Sequence, residues 1–391
     1  MDDLVPATEL PLICLQPIVD AQHGWAALLL DTPEPLSCEQ LTRLFGEQGL
    51  FEALDTLLCV VSLASPRVGD ELENLLPAEQ VVLRLPAGAC FDATDCAELH
   101  RLHTLGFHPM AEGMAADRVL CPDVVALALN SADLPANAAA LFANRHGPHL
   151  ALGVETMADF DRCRTAGFRW FAGNYALRVD AAQLPRGGTR RGLLLQLLIL
   201  ITHDAESHEI EDLIKQDAHL SYQLLRLVNS VAFSLSREIA SFGQAITLLG
   251  RRQLQRWLQL LLYAKQDRTG KSPLLPRAAW RASVMEALFA DRKNGSPDQA
   301  FMVGMFSLLD RLMGAKLADV LAPLHLPANV AAALIARNGP FSLPLHAIEA
   351  AESGSHAALA ELLAAADIDR ATWTAALIRG YHWSIQVSRE A

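Results

Sequence analysis

The sequence predicts an α/β barrel followed by an all-helical domain. Three observations carry this. Through roughly the first 180 residues, short apolar runs alternate with helical patterns, as in a parallel sheet wrapped by helices. A Pro/Gly-rich basic segment, DAAQLPRGGTRRG (180–192), then interrupts the periodicity. Beyond it, apolar residues recur at helical spacing to the end of the chain. The expected boundaries are a barrel over 1–182, a linker over 183–192 and a helical domain over 193–391. The barrel must be trimmed, since eight-fold (β/α) barrels typically need about 250 residues.

In chain order, PLICLQPIVD (11–20) and WAALLLD (25–31), joined by AQHG, predict a hairpin. Helical periodicity runs from Glu39 to about Leu54. Leu57–Leu63 and VVLRL (81–85) predict buried strands. A helix from about Asp95 ends at Gly106, a residue suited to the left-handed stop. Further strands are expected at 107–111, 124–129, 149–154 and around FAGNY (171–175), with helices over 134–145 and 157–166 between them. In the second half, Asp217 caps a helix whose apolar face is Leu220, Leu224, Leu227 and Val228, and Asn229 ends it. Ser241 and Gln244 form a capping-box pattern. Gly250 stops the short helix that follows. Leu254, Trp257, Leu258 and Leu261 then line one face of the next helix, with Arg252, Gln253, Gln255, Arg256 and Gln259 on its polar face. Ala-rich helices punctuated by Pro327, Pro340 and Pro344 lead to a final packed helix at ATWTAALIRGYHWSI.

The 391 residues are 51% hydrophobic and 19% charged, enough for a large core and unlike a disordered chain. The net charge of −12 argues against non-specific binding to nucleic acid or anionic membranes. Seven Cys without a CxxC pair read as buried thiols of a reducing cytosol. The acidic N-terminus has no signal-peptide pattern, and LLLQLLILI (193–201) is about half of a membrane span. A cytoplasmic location is therefore expected.

Two stretches carry resemblances. DLIKQDAHLSYQLLRLVNS (212–230), ITLLGRRQLQRWL (246–258) and AFMVGMFSLLDRLMG (300–314) resemble HDOD domains, all-helical regulatory modules related to HD-type phosphohydrolases but without their metal ligands. LQPIVD (15–20), LLPAEQVVLRLP (75–86), LHTLGFHPMAEG (102–113), PDVVALALN (122–130) and GVETMADFDRCRTAGFRWFAGNY (153–175) resemble the EAL domain, a barrel that hydrolyses cyclic di-GMP with divalent metals. An EAL-like half before an HDOD half is a known arrangement. The resemblance also locates departures. Ala26-Ala27-Leu28 stands at the glutamate-bearing tripeptide and Leu30 at the phosphate-facing arginine of LLR. Arg84 stands at a metal-binding glutamate. Glu112-Gly113 stands at paired aspartates, and Ala126 and Ala128 at a lysine and an aspartate. Ser62 stands near the asparagine, and Ala172-Gly173-Asn174 at Gln-Gly-Tyr. Glu155 keeps its carboxylate, so one or two of the acids remain. Since hydrolysis by two metals needs several oxygen ligands around hard cations, the resemblance implies a degenerate barrel with no catalytic or metal-binding residues.

Other constellations have plain readings. His203-Asp204 spells the HD dyad but falls in a loop without further ligands. His100, His103 and His108 lie near one another without a third acidic or Cys ligand and read as an exposed helix face. Met302, Met305 and Phe306 read as core or a greasy groove. Arg226, Asn229, Arg237, Arg251, Arg252 and Arg256 form the candidate interaction surface, with a solvated face paired to carboxylates as the simpler alternative. The expected function is non-catalytic signalling through contacts with other signalling proteins, with no enzymatic activity, cofactor, metal or membrane. The second reading is a cyclic di-GMP (or related nucleotide) receptor that does not hydrolyse its ligand, although the lost ligands speak against cyclic di-GMP binding. The third is an active cyclic di-GMP phosphodiesterase.

Overall fold

A computed structural model describes residues 10–34, 36–68, 76–114, 119–135, 138–142, 145–178, 189–217, 220–221, 223–224, 242–263, 272–292 and 295–390. Eight strands close into a barrel in sequence order: β1 (Cys14–Val19), β2 (Trp25–Asp31), β3 (Leu58–Ser62), β4 (Val81–Pro86), β5 (His108–Glu112), β6 (Ala126–Asn130), β7 (Leu150–Leu152) and β8 (Trp170–Ala172). The predicted hairpin forms: β1 runs antiparallel to β2 and β8, and every other pair is parallel. The strands are three to seven residues long and the helices between them are short, which is how eight strands fit into so few residues. Those helices are α1 (Cys38–Thr42), α2 (Leu50–Leu54), α3 (Ala93–Thr104), α4 (Ala138–Leu141) and α5 (Met157–Ala166). Local chemistry sets their ends. Ser37 and Gln40 form a capping box on α1, as do Thr156 and Asp159 on α5.

The helix expected over 134–145 is a single turn. Phe142 leaves it to stack on the buried ring of His149 at 3.9 Å. His149 Nδ1 accepts from the Leu127 backbone N–H at 3.2 Å, so the ring is held neutral. Burial, helped by the charges of Arg145 and Arg169 and opposed by a backbone hydrogen bond at Arg145, pulls its pKa down to about 4. A histidine in the unfolded chain titrates near 6.5, so between these values the unfolded state takes up the proton and the folded state does not. Stability is complete above the unfolded value and falls as pH drops toward the folded one. Urea unfolding at pH 7 and pH 5 should show the wild type losing about 1–2 kcal/mol more than His149→Gln over that interval.

The second half is helical: α6 (Thr189–Thr202), α7 (Ser207–Ile214), α8 (Phe242–Tyr263), α9 (Leu275–Leu288), α10 (Pro297–Phe306), α11 (Leu309–Met313), α12 (Leu317–Leu321), α13 (Ala328–Ala331), α14 (Ser342–Glu352), α15 (His356–Ala365) and α16 (Arg370–Glu390). Asp217 accepts from the Leu220 N–H at 3.0 Å, the expected cap. Leu227, Val228, Asn229 and Ser241 lie outside the described residues. Gly250 breaks α8 at φ 75, ψ 154, a conformation open to glycine. Two expectations are corrected. The linker was drawn to residue 192, but α6 starts at Thr189, because Arg191 is drawn into the helical core, where it donates to the Leu312 carbonyl at 3.4 Å. Gln259, assigned to the polar face, is buried at 1% exposure, since the partner helices wrap α8 on that side too.

The two halves share one apolar cluster. The last helix, α16, returns across the chain to β1. Trp373, fully buried, donates from Nε1 to the Ile13 carbonyl at 3.1 Å, and the Tyr381 hydroxyl donates to the Leu15 carbonyl. His382 Nδ1 lies 3.3 Å from the Ala53 carbonyl on α2. The all-thiol reading of the cysteines is also corrected. Cys96 on α3 and Cys121, just before β6, lie with Cα atoms 5.5 Å apart and form a disulfide, while Cys14, Cys59, Cys90 and Cys163 are free and buried. No helix among the described residues is long and apolar enough to cross a membrane.

Candidate functional site

Barrels of this kind place their chemistry at the mouth where the parallel strands end. Pleat alternation decides which side chains face it. Ile18, Ala27, Leu29, Val60, Val82 and Met110 fill the lumen. One step further along the same faces stand Gln16, Asp31, Ser62, Arg84, Glu112 and Asn130. Leu30, matched to the motif arginine, is therefore not on this face. The lumen-facing residues of β2 are Ala27, Leu29 and Asp31, while Leu28 and Leu30 join the outer core. The mouth therefore holds an aspartate at a position where a leucine had been expected.

Arg84 is the centre of one half of the mouth. Its Nε and Nη2 donate to Ser62 Oγ at 3.0 and 2.7 Å, and Nε lies 3.5 Å from Glu112 Oε2. The guanidinium is 12% exposed and the carboxylate 44%, so the pair is anchored at the arginine and open at the glutamate. Nearby, Glu155 pairs with Arg178 at 2.9 Å. Asn130 Oδ1 accepts from the Ala132 N–H at 3.0 Å and caps the turn after β6. On the other side, Asp31 Oδ2 accepts from Gln16 Nε2 at 2.9 Å and lies 3.4 Å from Nε2 of His356, the first residue of α15. His356 Nδ1 in turn lies 3.6 Å from Cys14 Sγ.

Cys14, His356 and Asp31 have the order of a nucleophile, base and orienting acid. Burial, and then the Asp31 charge, push the Cys14 thiol up to about 12, and the residue is wholly buried. A nucleophilic cysteine needs an accessible thiolate. The trio is a structural contact between the two halves. The inward donors do not fit a pair of divalent cations either. A guanidinium sits among them, Glu112 is engaged with it, and Ala27, Ala128 and Ala172 offer no oxygen. Among the described residues, no three His, Cys, Asp or Glu are grouped to hold one ion.

The residues of the candidate interaction surface fare differently. Arg226, Asn229 and Arg237 lie outside the described residues. Arg252 Nε is 2.5 Å from Asp298 Oδ1, and Arg256 lies between Glu286 and Asp298 with its guanidinium 4.4 Å over the Phe301 ring. Arg251 donates to the Ala205 carbonyl and lies 4.0 Å from Asp204. This is a face knitted to α9 and α10, with Arg252 its outermost member at 59% side-chain exposure. His203-Asp204 is a loop, as expected, with His203 beside His325 at 5.0 Å. His100 pairs with Asp123 at 3.2 Å, an acidic neighbour the spacing did not reveal. Met305 and Phe306 are core. Sequence reasoning missed Gln16, Asp31, Asn130 and His356. Strict alternation along WAALLLD would have found Asp31; nothing local points to His356.

The HDOD domain family matches residues 194–323. This chain contains an HDOD domain. Its helices α6 to α12 lie within or across that range. Over nearly its whole length the chain is similar to cyclic di-GMP phosphodiesterase CdgJ of Vibrio cholerae serotype O1, with 25% identity over 405 residues, 96% of this chain and 93% of that protein. The uncharacterized protein YuxH of Bacillus subtilis is 27% identical over 217 residues, 54% of this chain and 53% of its own. Among solved structures, the PaMucR phosphodiesterase in complex with c-di-GMP matches 41% of this chain and 93% of its own at 19% identity and a TM-score of 0.32. The EAL-like domain protein YdiV matches 42% and 90% at 15% identity and a TM-score of 0.34. The expectation of a chain without enzymatic activity is overturned by the first of these. A protein aligned across both the barrel and the HDOD domain is named a cyclic di-GMP phosphodiesterase. The physical reason for the error is visible at the mouth. The expectation rested on counting motif letters that were lost, a count that gave no weight to Asp31 or to the ties of Arg84 to Ser62 and Glu112.

Proposed function

We propose that this chain is a cytoplasmic signalling protein related to cyclic di-GMP phosphodiesterases, in which barrel and HDOD domain act as one body and the helical half delivers the signal to other proteins. The observation that supports this is the common core of the two halves, with the segment of β1 hydrogen-bonded to α16. An event at the mouth and a contact on the helices would then be energetically linked. Affinity capture with the full chain tests the output. A specific protein should be retained by the wild type and released by Arg252→Glu, with the melting temperature of the variant within a few degrees. Recovery of the same background with both proteins would sink this reading. A second reading concerns the mouth itself and is favoured by the name of the relative that spans the chain: it binds, or binds and cleaves, cyclic di-GMP. Calorimetry with cyclic di-GMP, followed by chromatography of the mixture, separates binding from turnover, and no heat and no product at high micromolar ligand would end it.

A further inference from the structure

The contacts between the helical half and the barrel differ in balance along the interface, buried aromatic rings with hydrogen bonds to backbone on one side and polar side chains on the other. Along the outside of β1 buried aromatic area dominates: Trp373 and Tyr381 of α16, each also bonded to a backbone carbonyl, with Trp25 and Trp280 against the Tyr381 ring at 5.5 and 5.3 Å. At the mouth the contacts are polar. The turn between α14 and α15 brings Gly354 and His356 onto Gln16 and Asp31. Gly354 has φ +67, and a Cβ there would stand 3.0 Å from Gln16 Nε2 and 3.4 Å from Asp31 Oδ2, so a larger residue would be strained and would press on both side chains. A few residues away, Arg277 of α9 donates to the Gly173 carbonyl at the end of β8 at 2.9 Å, and Asn174 Nδ2 donates to the Glu352 carbonyl at 3.0 Å.

We infer that the α14–α15 turn is a latch over the β1, β2 and β8 sector of the barrel mouth, and that it opens about the apolar α16 seam as a hinge. Polar contacts exchange for water at small net free energy, whereas the aromatic seam does not. The latch is therefore the weak part of the interface and the seam the strong part. A ligand that grips Gln16 or Asp31 from inside the mouth must displace His356 and Gly354. A protein that pulls on α14 or α15 uncovers the same two residues. The coupling has one magnitude in either direction, and it holds whatever the barrel takes as ligand.

Hydrogen–deuterium exchange on the full chain tests it. Asp31→Asn keeps the side-chain volume and removes the charge that faces His356. His356→Asp sets a second carboxylate against Asp31. Both should speed exchange about tenfold in peptides covering 28–32, 173–178 and 352–357, and leave those covering 373–385 and 108–112 unchanged. Unchanged exchange at the mouth in both variants overturns the latch. A parallel rise across 373–385 overturns the hinge, because the halves would then part as wholes. If His356→Asp fails to fold, Asp31→Asn alone gives the same discrimination.

Discussion

Glu352→Gln should lower unfolding stability by about 3–5 kcal/mol, the cost of leaving a buried charge without its counter-ion. Glu352, on α14, is 8% exposed and receives Arg281 of α9 through Nε at 3.1 Å to each carboxylate oxygen, with Nη2 closing a second arm. Arg281, 4% exposed, also donates to Ser307 Oγ at 2.9 Å and lies 3.7 Å from Glu349. Burial opposes its charge, but the charge of Glu352 and its hydrogen bonds, with Glu349 beside them, outweigh burial and hold the pKa above its ordinary value. Arg277 stands 3.9 Å from the same carboxylate, so removing Glu352 takes a counter-ion from two arginines and leaves Arg281 only Glu349 at 3.7 Å. Arg281→Met strands only Glu352, which keeps Arg277 as partner. The expected order in a urea titration is therefore Glu352→Gln worse than Arg281→Met, with Arg281→Met/Glu352→Leu less destabilised than Glu352→Gln alone, because apolar residues of similar volume can replace a buried pair at little cost. A double variant worse than both singles would refute the pairing as the source of the effect.

The second large effect is expected at Trp373. Trp373→Ala removes a fully buried aromatic and should cost about 3–5 kcal/mol. It also orphans the Ile13 carbonyl that Nε1 satisfies. Trp373→Phe keeps most of the volume and loses only the hydrogen bond, a loss of about 1–3 kcal/mol. The form of the melt discriminates further. The wild type should unfold in one calorimetric transition, since one core runs through both halves. Trp373→Ala should split it in two. A single transition at unchanged temperature in Trp373→Ala would mean that the α16 seam does not hold the halves together.

Much of the fold could be read from local pattern. Gly106 and Gly250 mark helix ends because a left-handed residue is a backbone property that needs no distant partner. The eight strands follow from short apolar runs between turn residues. What could not be read depends on residues far apart in sequence. His356 meets Cys14 and Asp31, and Tyr381 meets Leu15, across more than three hundred residues. Cys96 and Cys121 come together only when α3 and the approach to β6 are packed on the barrel. The candidate site was legible in part. Arg84, Glu112 and Ser62 were all named, but as separate departures from a motif, and it took the strand register to bring them within hydrogen-bonding reach. The motif match rested on Leu30, one residue before Asp31, and in a strand one residue is the difference between lumen and outer face.

The seating of α16 on β1 also sets the order in which the molecule can be made. The carbonyls of Ile13 and Leu15 are satisfied by Trp373 and Tyr381, made 360 and 366 positions later. Domains usually settle one after another during synthesis, at about 5–20 residues per second. Here the Ile13 and Leu15 carbonyls must wait some tens of seconds for α16 to reach them. Closure over so long a loop is slow, so the seating of α16 follows the pairing of the barrel strands.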